Sequence, residues 1–212
     1  IYLNLSENNS ITNNTCSNNT RGIFLYKGNY SIIDNNTFTD NERGIHIWKS
    51  SNNSIENNNC SDNVEGIRLV TSEENIIREN LCDSSIDFGI YLASGGKNKI
   101  TNNTCSNNTR GIFLYKESYS NLYNNTCANN NYGIFLHDSS DNNLYNNTGS
   151  KNSAGIFLEY GGNNSIRNNT YEFLSEDGIK IFQSNNNSII DNNCSDCTNG
   201  ISVYSSRFNK IN

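Results

Sequence analysis

Acid–base chemistry near neutral pH draws on histidine beside carboxylates, and the chain groups such residues twice. His137 and Asp138 are adjacent, and Glu159 follows His137 by 22 residues. Arg43, His46, Glu65 and Arg68 form a second group, with Arg43 to Glu65 and His46 to Arg68 again 22 residues apart. Acid–base catalysis on a bound substrate needs more: several charged groups at matching positions on one surface. Neither group supplies that set. The balance is against catalysis, with His137, Asp138 and Glu159 as the residues that would carry it.

Cysteine is the other reactive type. Six of the seven, Cys16, Cys60, Cys82, Cys105, Cys127 and Cys194, fall in one row at multiples of a 22- or 23-residue interval. Phe38 and Tyr171 replace them in the same row, so the row reads as buried packing rather than a reactive site. In-register neighbours point the same way, which keeps their Cβ atoms too far apart for a disulfide. Cys194 and Cys197 match C-x-x-C, but Cys197 takes the turn position of Asn19 and Asn108, and no second pair or nearby His completes a zinc site. No metal or cofactor is expected.

The common interval is the main organising signal. Gly-Ile recurs at Gly22, Gly44, Gly66, Gly89, Gly111, Gly133, Gly155, Gly178 and Gly200, with spacings of 22 or 23. So short a period marks a solenoid, whose coils bury their apolar face only against each other. After each Gly, Ile23 and Leu25 through Ile201 and Val203 alternate with other residues, as in a strand with one buried face. Asn14, Asn36, Asn58, Asn80, Asn103, Asn125, Asn147, Asn169 and Asn192 form an unbroken row. Asn tolerates left-handed backbone and its amide can bond the next copy, so this row predicts an internal ladder at a turn. A second row begins at Asn9 and ends at Asn209, with Ser31 and Ser120 as exceptions. The expected fold is all-β: a right-handed single-stranded parallel β-helix of nine to ten rungs spanning 1–212.

Residues 12–27 and 101–116 are identical, and the two one-residue insertions are 89 residues apart. A four-rung block has been duplicated. Both ends fall inside the repeat pattern, so the chain is expected to be a segment of a longer protein.

The strand residues between the buried ones should face solvent. They include Phe24, Tyr91, Phe113, Phe135 and Phe157 in one row, and Tyr26, Trp48, Tyr115, Phe182 and Tyr204 in the next. This predicts a broad exposed aromatic strip, suited to stacking on sugar rings or to packing against another chain. Ordinary cross-strand stacking explains the same residues.

Repeats of the form N-x-S-I-x-N-N-T-C-S-N-N-x-x-G-I-F-L resemble those of NosD-like proteins and the wider β-helix group of carbohydrate-binding proteins and sugar hydrolases. Asn-rich arrays of archaeal cell-surface proteins are similar. The resemblance covers the whole chain and implies the fold. The copper role that the NosD name implies finds no His or Met cluster here.

The 212 residues are 33% hydrophobic, with 47 Asn and no Pro or Met, and the net charge is −6. A narrow solenoid axis needs few apolar residues, and absent Pro fits a backbone whose N–H groups are nearly all used. No basic stripe is evident, which argues against nucleic acid, and no apolar run is long enough to enter a membrane. Sixteen N-x-S/T sequons are present; turn positions such as Asn29, Asn52 and Asn163 are the expected modifiable ones. The expectation is a structural rod at the cell surface, displaying its aromatic face for assembly or adhesion and able to stack into a filament or layer. Its partners would be other copies or neighbouring domains. The alternative is a module that binds, or less readily processes, polysaccharide.

Overall fold

The computed structural model describes residues 1–212. Two parallel ten-stranded sheets run its length, each taking one strand from every rung. Six-residue strands such as Arg21–Tyr26 and Arg110–Tyr115 build one sheet, and three-residue strands such as Ile32–Asp34 build the other. A third line is fragmentary, with Thr15–Ser17 and Thr37–Thr39 at one end and three short strands at the other. Single bridges join these two fragments. The register is strict: Ile11 lies over Ile33, Ile33 over Ile55, and so on to Ile189 over Ile211. Each rung is thus a β-helix turn, at a strand spacing of about 4.8 Å.

Every rung has four corners, and each corner uses the same two-residue device. One residue adopts left-handed backbone and the next, except at Gly28, Gly95 and Gly161, turns its side chain inward. The left-handed residue is not the ladder asparagine but the one before it: Asn13, Asn35, Asn57, Asn102, Asn124, Asn146 and Asn168 have φ between 52° and 58°. All 38 left-handed residues are non-glycine. The glycines do other work. A Cβ on Gly111 would lie 2.6 Å from the Gly133 carbonyl oxygen of the next rung. Gly22 through Gly178 therefore recur because the backbones come too close for a side chain.

The inward residues make the predicted ladder. Asn103 shows the pattern. Its Oδ1 accepts from the backbone N–H and the Nδ2 of Asn80, both at 3.0 Å. Its Nδ2 donates to Asn125 Oδ1 at 3.0 Å and to the Ile77 carbonyl at 2.9 Å. The second predicted row does the same, with Ser31 and Ser120 donating or accepting through hydroxyl and backbone groups. A third row links Asn19, Asn41 and Asn63, breaks at Ser85, and resumes from the Ser85 N–H through Asn108, Asn130 and Asn152. The fourth corner uses serine: Ser50 and Ser139 accept through Oγ from the N–H groups of Gly28 and Glu117. A buried amide with every donor and acceptor paired stabilises the stack; one left unpaired costs about 1–3 kcal/mol per group.

The core inside these corners is thin. The Cys row is confirmed as buried packing: all seven thiols are free, and Cys60, Cys82, Cys105 and Cys127 are buried. Burial pushes the Cys60 and Cys105 thiols well up, so they stay protonated and inert. Phe38 and Tyr171 fill the same row, and Gly149 makes room for the Tyr171 ring. The first one-residue insertion is absorbed before Phe88, where Ile86 is pushed out to 68% exposure.

Glu117 breaks the serine column and is buried. Its carboxyl accepts from Gly95 N–H at 2.9 Å, Ser120 Oγ at 2.9 Å and Asn98 Nδ2. Burial outweighs these donors and raises its pKa from 4.5 to about 7. The native state therefore holds this proton more tightly than the unfolded chain does. Its contribution is full below pH 4.5 and is lost as pH rises towards 7, by about 3 kcal/mol. Glu117→Gln should remove that fall, so denaturant midpoints of variant and wild type should diverge between pH 5 and 7. Separately, Asn103→Ala should lower stability by about 3 kcal/mol or more, because it orphans groups on three residues. Asn121→Ala, on the outward face, should lower it by less than about 1 kcal/mol.

Candidate functional site

The outer face of the long-strand sheet gathers the predicted aromatic residues into columns. In the first, ring centroids lie 4.8 Å apart for Phe24 and His46, and 5.2, 4.9 and 4.9 Å apart along Tyr91, Phe113, Phe135 and Phe157. In the second, Tyr26 meets Trp48 at 4.9 Å and Tyr115 meets His137 at 5.6 Å. Phe182 lies over Tyr204 in strand register further along.

The strip is less open than the alternation implied. Phe135 and Phe157 are only 6% and 8% exposed, while Trp48 and Tyr204 reach 38% and 48%. The cause is the register itself. Rings repeated every rung stack along the rod axis, so they cover each other's faces and turn their edges to solvent. A free face survives only where a column breaks. The second column breaks at Val70 and Ala93, which follow Trp48 and precede Tyr115 in register. Trp48 and Tyr115 thus bracket a slot floored by small side chains, three rungs or about 14 Å apart. The Lys49 and Lys116 ammonium groups lie 5.3 and 5.1 Å from the Trp48 and Tyr115 ring centres.

A third column joins the face from the residue before each glycine. Strict alternation puts Arg21 on the same side as Ile23, facing in. The structure turns it out: strand pairing passes from Arg21–Arg43 directly to Ile23–Ile45, and the chain bends at the glycine. The Arg21 guanidinium then lies 4.5 Å over Phe24. Arg110 sits likewise at 5.0 Å over Phe113, and 5.3 and 5.5 Å from Phe88 and Phe135. The bend was the missed signal, since Gly was read only as a strand start.

The two acid–base groups both land on this face. Glu65 bridges Arg43 at 2.9 Å and Arg68 at 2.7 Å. His46 is buried among Arg21, Arg43 and Arg68, and burial followed by these charges lowers its pKa to about 3. It is neutral at physiological pH and its Nδ1 has no partner, so it is not a proton carrier there. His137 Nδ1 lies 2.7 Å from Glu159 Oε2, and His137 Nε2 lies 3.9 Å from Asp138 Oδ2. With Tyr91, Arg110, Phe113, Tyr115 and Phe135, His137 and Glu159 line a shallow depression.

The profile of the family "Periplasmic copper-binding protein (NosD)" matches residues 1–152 and 105–212, the whole chain. The chain belongs to the NosD family. Copper binding needs imidazole, thiolate or thioether donors brought together. Here nothing of the kind converges. The two histidines are four rungs apart, there is no Met, and Cys60, Cys82, Cys105 and Cys127 are sealed in the core. These residues do not fit a copper site.

No curated protein matches the chain in sequence. Among solved structures, an alginate lyase from Paenibacillus sp. str. FPU-7 superposes with a TM-score of 0.82 at 14% identity, over 96% of this chain and 87% of that one. The A-module of an Azotobacter vinelandii mannuronan C-5 epimerase gives 0.68 at 16% identity, over 92% and 62%. A DFA-IIIase from Arthrobacter chlorophenolicus A6, in complex with GF2, gives 0.77 at 16%, over 90% and 56%. At such identities the likeness establishes the parallel β-helix and nothing about activity.

Proposed function

We propose that the chain is a stiff extracytoplasmic rod whose aromatic face holds carbohydrate chains. The observation that carries this is the slot between Trp48 and Tyr115. It offers two ring faces without ring neighbours, separated by Val70 and Ala93, on a surface the ladders hold straight. Sugar rings present flat C–H faces that pack on exposed aromatic faces, with polar groups at the edge fixing orientation. Arg68 lines the depression beside Trp48 and Val70, and the Lys116 ammonium lies over the Tyr115 ring. The sugar-processing neighbours support the reading, and the periplasmic description of the family supports a place outside the cytoplasm. The sequence put a structural rod for assembly or adhesion first and polysaccharide binding as the alternative; this reading takes up the alternative.

The His137–Glu159 pair favours a second reading, processing of the bound chain. A histidine with one nitrogen held by Glu159 and the other facing Asp138 at 3.9 Å can move a proton. Product formation lost in both His137→Ala and Glu159→Gln would establish it.

Binding to a panel of immobilised neutral and acidic polysaccharides tests the main reading. Wild type should be retained by at least one. Trp48→Ala and Tyr115→Ala should each weaken retention about tenfold, roughly the loss of one stacking contact. No retention of wild type on any polymer would overturn it.

A further inference from the structure

The chain is acidic overall, yet its cations are not spread evenly. Between Arg21 and Lys116 the three outward columns and the corner column beside them carry Arg21, Arg43, Arg68, Arg110, Lys27, Lys49 and Lys116, seven of that span's ten Lys and Arg. From Arg21 to Lys116 these columns hold a single carboxylate, Glu65, which is taken up by Arg43 and Arg68. Glu42, at the margin, also pairs with Arg43. The absence of a basic run in the sequence concealed this, because the cations are one repeat apart and meet only in the stack.

Two of the cations stand out. Arg21 and Arg110 have no carboxylate within salt-bridge distance, and the Nε of each is buried with no hydrogen-bond partner. Both lie on a phenylalanine, and both belong to the duplicated block. The constellation Arg21, Phe24, Tyr26 and Lys27 therefore recurs as Arg110, Phe113, Tyr115 and Lys116, four rungs or about 19 Å further along. A guanidinium stacked on an aromatic ring and lacking an acid partner is preorganised for a carboxylate.

We infer that this face carries two equivalent subsites, Arg21–Phe24–Tyr26–Lys27 and Arg110–Phe113–Tyr115–Lys116, that grip one acidic polysaccharide chain through its carboxylates. The inference rests on the carbohydrate-binding reading and adds the charge of the ligand and the bivalent grip. Arginine forks at both subsites take sugar carboxylates, lysines add point charge at the margin, and the rigid rod fixes the spacing. Once one subsite is filled, the second binds the same chain at high effective concentration. A polymer long enough to reach both subsites then binds more tightly than a disaccharide.

The test uses polygalacturonate, its fully methyl-esterified form, the digalacturonate and single-stranded DNA, titrated into the wild-type chain. Polygalacturonate should bind at least tenfold more tightly than the methyl ester and than digalacturonate, and its affinity should fall steeply with salt. Arg21→Gln and Arg110→Gln should each reduce polymer binding towards the disaccharide value, and the double variant should remove it. Digalacturonate should distinguish the single variants from wild type by no more than about twofold. Equal binding of polymer and methyl ester would overturn the inference while leaving the carbohydrate reading intact. Failure of polygalacturonate to bind would overturn it too, with the carbohydrate reading falling only if the wider polysaccharide panel is also unbound, and tighter binding of DNA than of polygalacturonate would equally overturn it. The ester and salt comparisons use wild type alone, so they decide the matter even if a variant fails to fold.

Discussion

The whole structure depends on a side-chain amide that bonds to its own copy one turn away. In the row from Asn36 to Asn169 each Asn accepts twice from the rung on one side, donates to the next Asn on the other, and caps a strand carbonyl as well. A thin core of isoleucine, leucine and cysteine, with few large side chains, stabilises a coil of this width only modestly. The polar corners supply what the core lacks, and they work only in register. A shift of one residue would turn every inward amide outward and every buried isoleucine into solvent. The ladder therefore fixes the identity of each position in the rung, not merely the presence of a turn.

That constraint shapes the outer face as strictly as the interior. Side chains one repeat apart must meet, whether or not the pairing is useful. Aromatic neighbours consume each other's faces, like charges would repel, and opposite charges pair, as Arg43 and Glu65 do. Recognition is left to the irregularities: the break at Val70 and Ala93, the unpaired Arg21 and Arg110, and the His137–Glu159 contact. In a solenoid the departures from the repeat are the informative residues, because the repeat itself is already explained by stacking.

The sequence made the interior legible for the same reason. Asn14 to Asn192 and the Cys60 to Cys127 row are near-uniform, so period and position are visible without coordinates. The fourth corner was not legible, since its serines are interrupted by Gly28, Gly95, Glu117 and Gly161. Backbone conformation was misassigned by one residue: the left-handed angle belongs to Asn13 and its equivalents, because the ladder amide must reach inward from ordinary backbone. The openness of the aromatic strip was overstated, since alternation reports which side a residue faces and not what stacks on it. Arg21 and Arg110 were hidden by the bend at Gly22 and Gly111, which reverses the alternation.

Side-chain amide hydrogen exchange, followed by NMR, bears most directly on the ladder. Nδ2 protons of Asn58, Asn80, Asn103 and Asn125 should exchange only with opening of the stack, orders of magnitude more slowly than those of the solvent-facing corner residues Asn57, Asn102 and Asn124. Ladder and corner amides exchanging at the same rate would contradict the account, since the inward amides could not then be bonded from rung to rung.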